Sequence, residues 1–154
     1  MTKKIEKKVF PKTRGQVYLA TADGYRDDFM KIGFTMRHTD KRMKELDQSS
    51  GQGAKGYKIL ARFYVKNPQL LEAKLHRYFE HDRQDNRREW FNNMSVERFY
   101  QGVLYFAYIR DMKLLLKRLK QENFDSHILE LVKKHIQEYN QDKNKRNNAL
   151  YEIK

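Results

Sequence analysis

The 154 residues contain no cysteine, which excludes disulfides and every zinc site built on thiolates. No apolar stretch reaches membrane-spanning length. The basic start, Met1 to Lys8, is not followed by the apolar segment that a secretory signal needs. The expected location is therefore the cytoplasm, of a bacterial cell or of an infected host cell. No internal repeat and no long low-complexity segment is visible. Acidic side chains are in the minority, with 20 Asp and Glu against 33 Lys and Arg, a formal net charge of +13. Such an excess attracts polyanions at long range, and nucleic acid is the leading one. A basic protein with no polyanion partner is the bland alternative. A membrane surface fits less well, because no strongly basic helix with a bulky apolar face opens the chain.

Hydrophobic residues make up 39% of the chain, enough for a modest core, and they cluster in periodic segments. Residues 1–14 are Lys-rich and read as a basic N-terminal arm. Gln16 to Ala20 is a β-type run rich in Val, Tyr and Leu. Asp23-Gly24 marks a hairpin connection, and Phe29 to Phe34 is its partner strand. Thr39 or Asp40 caps a helix running to about Leu46. The Gly-rich stretch from Ser49 to Gly56 is a loop. Tyr57 to Val65 is the longest strand. Asn67-Pro68 starts a helix, with Asn as cap and Pro where its missing N–H costs nothing, and that helix runs to about Phe79. Residues 81–88 are polar and charged, hence a loop, and Glu89 to Asn92 forms a brief edge strand. Ser95 caps a long helix whose apolar spacing continues through Leu119. A break near Asn123 and a start at Ser126 give a last helix, striped by Ile128, Leu131, Val132, Ile136 and Tyr139, with a frayed polar tail from Gln141.

The expected fold is α+β: a small antiparallel three-stranded sheet flanked by helices, in the order β-β-α-β-α, with a helical C-terminal extension. The expected division is an arm at 1–14, a domain at 15–93 and an extension of two helices at 94–154.

Several weaker signals are set aside. His76 and His81 make no zinc motif without a third well-spaced ligand. The Ser49 to Gly56 loop is no P-loop, because no G-K-[ST] opens a helix. The tyrosines between Tyr100 and Tyr108 follow a 3.6 period, which fits core packing better than base stacking.

Five motifs remain, in order: Val17-Tyr18; Lys31-Ile32-Gly33-Phe34-Thr35; Arg42 through Leu46; Glu72 through Phe79 with Leu75-His76 inside it; and Glu89-Trp90-Phe91. Together they resemble the signature of GIY-YIG nucleases, in the branch found in phages, large DNA viruses, bacteria and some fungi, including a meiotically up-regulated fungal protein. The resemblance covers about Gly15 to Asn92. It implies a metal-dependent endonuclease that hydrolyses DNA phosphodiester bonds, in a phage, mobile-element or defence role. The alternative is a non-catalytic basic DNA-binding or adaptor module that keeps the fold.

The resemblance also implies roles. Hydrolysis of a phosphodiester needs an activated water, charge neutralisation and help for the leaving oxygen. Glu72 is expected to hold one Mg²⁺ or Mn²⁺, since such hard ions accept few protein ligands and keep several waters. Tyr18 is expected to take a proton from the attacking water or to orient it. A free tyrosine titrates near ~10, so a cationic neighbour such as Lys31 is needed. Lys31 departs from the name-giving tyrosine of the second motif, and a role on the tyrosine or on the phosphate fits equally. Arg42 is expected to hold a non-bridging phosphate oxygen. His76 shares a helical face with Glu72, and a site role and a packing role both fit. Arg37, Lys41 and Arg88 are expected substrate contacts. Glu89 stands where many relatives carry a later asparagine, which leaves its part open. Trp90 and Phe91 read as core. DNA is the expected partner, with self-association or a protein partner through the C-terminal helices as a second expectation.

Overall fold

The computed structural model describes residues 14–36, 39–49, 56–84 and 87–153, with the side chains at 40, 47–49, 87–88 and 144–153 outside that description. The chain divides into two compact units, Met1–Phe106 and Ala107–Lys154.

The first unit carries the sheet. Strand β1 (Gly15–Thr21) and strand β2 (Met30–Thr35) form the expected hairpin, with Gly24 at φ +84° in the connection. A left-handed residue there is what a tight turn requires and glycine supplies. Helix α1 (Thr39–Ser49) follows, then strand β3 (Lys58–Val65), which pairs antiparallel with β1 on the side away from β2. Helix α2 (Pro68–Tyr78) starts as the sequence predicts: the Asn67 side chain accepts the Leu70 N–H at 3.3 Å, and Pro68 sits in the first turn.

The sheet then departs from expectation. It has five strands in the order β3-β1-β2-β5-β4, not three. After a short 3₁₀ turn (Glu80–Asp82), strand β4 (Arg83–Gln84) arises inside the stretch that its polarity marks as loop. Strand β5 (Arg87–Phe91) is internal to the sheet rather than a brief edge. Strand β5 is held by long-range pairing, Met30 with Phe91 and Lys31 with Trp90, and β4 by pairing back onto β5, Arg83 with Phe91. Local propensity carries no trace of such partners.

Helix α3 (Val96–Phe106) is capped by Ser95, whose Oγ accepts the Arg98 N–H at 3.1 Å. Helix α2 packs on β1 and β2, and α3 packs on α2 and β3. On that face Val17, Leu19, Ile32, Phe63, Leu71, Leu75, Phe91, Phe99 and Val103 are buried. Each such side chain contributes about 1.5–3 kcal/mol of transfer free energy. On the opposite face Tyr18 and Ala20 pack with Met43 of α1 and with Leu46, Tyr57 and Ile59.

The second unit holds helices α4 (Ile109–Gln121) and α5 (Ser126–Ile153), which pack on each other. The long helix expected from Ser95 to Leu119 is therefore two. Tyr108, extended at φ −79° and ψ 152°, separates them. The break near Asn123 is present, with that residue at φ 54°. Helix α5 starts at Ser126 as expected, and Asp125 caps it, its Oδ1 accepting the His127 N–H at 2.7 Å. Helix α5 also continues past Gln141. Its last turns contain no Gly or Pro, the two residues that cost a helix interior most. No helix among the described residues is long and apolar enough to cross a membrane.

Candidate active site

Tyr18 lies at the centre of β1, directly paired with Gly33 of β2 and Arg62 of β3. Directly opposed residues of antiparallel strands share a face. The Tyr18 ring therefore lies on the α1 side, together with Gly33 and Lys31. It crosses over Gly33 so closely that a Cβ there would stand 2.5 Å from the phenolic oxygen. Gly33 is thus required by the ring above it, and the hydroxyl is carried across β2.

That hydroxyl is buried and has no hydrogen-bond partner among the described residues; the same holds for Arg42 Nε. Arg42 stands on α1, its guanidinium near enough to favour the ionised phenol, and it also faces Glu45 at 3.7 Å. Burial wins over the guanidinium and pushes the Tyr18 pKa up to about 12, with the charges of Glu89 and Glu72 pushing the same way.

Glu72 and His76 reach the site from the other face, around the outer edge of β2. Strand β5 pairs only with Met30 and Lys31 of β2. Beyond that point α2 takes over. The Glu72 carboxylate accepts the Phe34 N–H, and His76 Nε2 meets the Ile32 carbonyl oxygen at 2.8 Å. The spacing matches. Four residues of helix rise about 6 Å and two residues of strand about 6.6 Å, so side chains one helical turn apart meet alternate groups of the strand edge.

His76 Nδ1 faces Arg83 Nη2 at 3.0 Å. A guanidinium only donates, so Nδ1 accepts and the proton sits on Nε2, where it is given to Ile32. Both ring nitrogens are engaged. Burial, helped by Arg83, lowers the His76 pKa and keeps the ring neutral.

Glu72 is only partly buried, yet its pKa is raised to about 7, first by desolvation and then by Glu89; Lys31, Arg83 and the Phe34 N–H act against the rise. Lys31 is 5% exposed, and its Nζ lies 3.0 Å from Glu89 Oε1. Tyr18, Lys31, Arg42 and Glu72 thus occupy one electrostatic neighbourhood, which also contains Glu89 and Arg83.

Of the other expected contacts, Lys41 alone has a described side chain. Lys41 is exposed on α1, Arg37 lies outside the described residues, and Arg88 belongs to β5 with its side chain outside the description. Sequence reasoning missed Arg83, because it stood in a stretch taken as loop, and Arg62, which β3 places beside Tyr18 and whose Nη1 bonds Thr39 Oγ1 at 3.2 Å. Trp90 is core, packed with Ala22, Tyr25, Phe29 and Tyr57. No three His, Cys, Asp or Glu side chains among the described residues form a metal cage.

No curated protein and no solved structure matches the chain. Residues 15–106, which span the sheet and helices α1 to α3, match the T5orf172 domain, and the chain belongs to that family.

Proposed function

We propose that the chain is a metal-dependent endonuclease of the GIY-YIG type, acting on DNA in the cytoplasm in a phage, mobile-element or defence setting. Membership of a phage-associated domain family with an endonuclease context supports this reading. One observation supports it: a buried tyrosine hydroxyl with no well-aligned hydrogen-bond partner among the described residues lies over a glycine, within the field of an arginine and of two carboxylates. An unsatisfied buried hydroxyl costs stability, and such groups gather where a ligand completes the site.

The residues fit a divalent cation. Glu72 carries no ion pair among the described residues, keeps acceptor capacity beyond the Phe34 N–H, and has its proton affinity raised beside Glu89. Glu72 would hold one Mg²⁺ or Mn²⁺, which supplies positive charge at the scissile phosphate when bound. The chain's own groups account for the rest. Arg42 binds a non-bridging phosphate oxygen through its fork of donors. The Tyr18 oxygen accepts a hydrogen bond from the attacking water and aims it at phosphorus. Its proton affinity is too high for a base until positive charge gathers, and Arg42 already acts in that direction. Lys31 holds Glu89 and lowers the proton affinity of Glu72. His76 and Arg83 keep α2 on the strand edge, which fixes the Glu72 carboxylate.

Incubation of purified protein with plasmid and Mg²⁺ or Mn²⁺ tests the proposal. Metal-dependent nicking by the wild type and its loss in Glu72→Ala are expected. Salt-sensitive binding with no cleavage by either protein, across single- and double-stranded substrates, would leave the non-catalytic DNA-binding module as the reading.

A further inference from the structure

The β1–β2 connection and the ends of β4 and β5 border an open depression of about 360 Å³ lined by Gly24, Tyr25, Arg26, Phe29, Gln84 and Asn92. None of the residues given a catalytic role above lines it. Its aromatic side is rigid. Phe29 stacks on Trp90 with centroids 5.0 Å apart and planes at 24°, and Tyr25 stands edge-on to both rings.

The polar side is a directed chain. Arg26 Nη2 donates to Asn92 Oδ1 at 2.7 Å, and Asn92 Nδ2 donates to Gln84 Oε1 at 3.2 Å. The guanidinium has only donors, so the Asn92 atom facing it is the carbonyl oxygen. That fixes the Asn92 amide, and the Asn92 amide fixes Gln84. The chain ends, among the described residues, on the Gln84 Nε2 group with two hydrogens to give. Arg26 is also paired with Asp28, Nε to Oδ1 at 3.2 Å. A carboxylate beside the guanidinium makes the depression a poor fit for a bare phosphate.

We propose that this depression receives one unstacked nucleobase, read through acceptor atoms on its edge. The inference rests on the nucleic-acid reading above and names the part of the substrate that this second site takes. Aromatic walls suit the face of any base. A terminal donor suits guanine, which presents O6 and N7 as acceptors, over adenine, which sets a donor beside N7. Position agrees as well. Phe29 precedes Lys31 by two residues, so the two lie within about 7 Å along the chain. That places the depression beside Lys31, one residue of the neighbourhood that the proposed site occupies.

The test measures binding of the full chain, in EDTA, to duplexes of one sequence that are either fully paired or carry a single extrahelical G or A. The extrahelical G duplex is expected to bind about tenfold more tightly than the other two, the discrimination typical of one good base-edge contact. Gln84→Met, close to isosteric and without the donor, should erase the preference for G over A and leave the fully paired duplex within about twofold of wild type. Phe29→Leu should weaken both extrahelical duplexes and preserve their order. Equal binding of all three duplexes, or a preference for G that survives in Gln84→Met, overturns the depression's role and leaves the nucleic-acid reading standing. Failure to bind any duplex at low salt overturns that reading, and this inference with it.

Discussion

The Tyr18 ring lies across Gly33, its directly paired neighbour on β2, with the phenolic oxygen and the carbon bearing it 2.5 and 2.7 Å from where a Cβ at position 33 would stand. Both distances are far below van der Waals contact, and the nearer ring carbon cannot swing away as a flexible side-chain end does. Gly33→Ala is therefore expected to destabilise the fold by about 1–3 kcal/mol, the usual cost of overpacking. Because the displaced group is the proposed water-orienting hydroxyl, cleavage should fall by at least ~100-fold, more than the stability loss accounts for. Thermal melts alongside nicking rates check this. A variant that melts lower yet cuts at the wild-type rate would remove Tyr18 from the chemistry.

Glu72 links stability to pH with a definite sign. Its folded pKa of about 7 lies above the ordinary 4.5, so the folded state holds this proton more tightly than the unfolded chain does. The stabilisation is complete below about 4.5 and is lost as pH rises through about 7. Discounted for partial solvent screening, the effect is about 1–2 kcal/mol. Wild-type melting temperature should fall across that window in EDTA. Glu72→Gln, uncharged at every pH, should flatten this segment of the curve. A variant whose melting temperature falls as steeply as the wild type's would assign the titration elsewhere.

On the proposed mechanism the same carboxylate is expected to set the pH dependence of cleavage. A divalent cation and a proton compete for Glu72, so at low Mg²⁺ the rate should rise with pH through about 7. Raising Mg²⁺ should carry that limb to lower pH, because the cation displaces the proton. Lys31 lowers the proton affinity of Glu72, so Lys31→Met should move the limb to higher pH as well as reduce the rate. A limb that stays fixed over a hundredfold range of Mg²⁺ would detach the metal from Glu72.

Much of this arrangement is legible in the sequence. The hairpin announces itself through Asp23-Gly24 and two β-type runs, and α2 through Asn67-Pro68, because caps and turns are local chemistry. Tyr18, Lys31, Arg42 and Glu72 are singled out through the family resemblance that short motifs carry, and the fold places them in one electrostatic neighbourhood. Arg83 and β4 are not found, because a two-residue strand is created by its partners and its own residues are polar. The shared edge of β2 is hidden for the same reason. That Glu72 and His76 replace a strand there depends on where β5 stops pairing, which no local pattern encodes.

His76 provides the sharpest separation of a positioning role from a proton-transfer role. Its Nε2 proton is given to Ile32 O and its Nδ1 accepts from Arg83, so the neutral ring works as a two-ended clamp between α2, β2 and β4. Glutamine can still donate to a carbonyl through its amide nitrogen and accept through its oxygen. His76→Gln should therefore keep a substantial part of the activity, within about tenfold of wild type. His76→Ala leaves a strand-edge carbonyl and a guanidinium without partners, and should cost about 1–3 kcal/mol of stability together with a larger loss of rate. If the ring instead moved a proton in the reaction, both variants would fall alike, by the ~100-fold or more that general acid–base catalysis contributes. Nicking rates and melts of the two proteins side by side distinguish these outcomes, since a glutamine at position 76 satisfies the clamp and cannot relay a proton near neutrality.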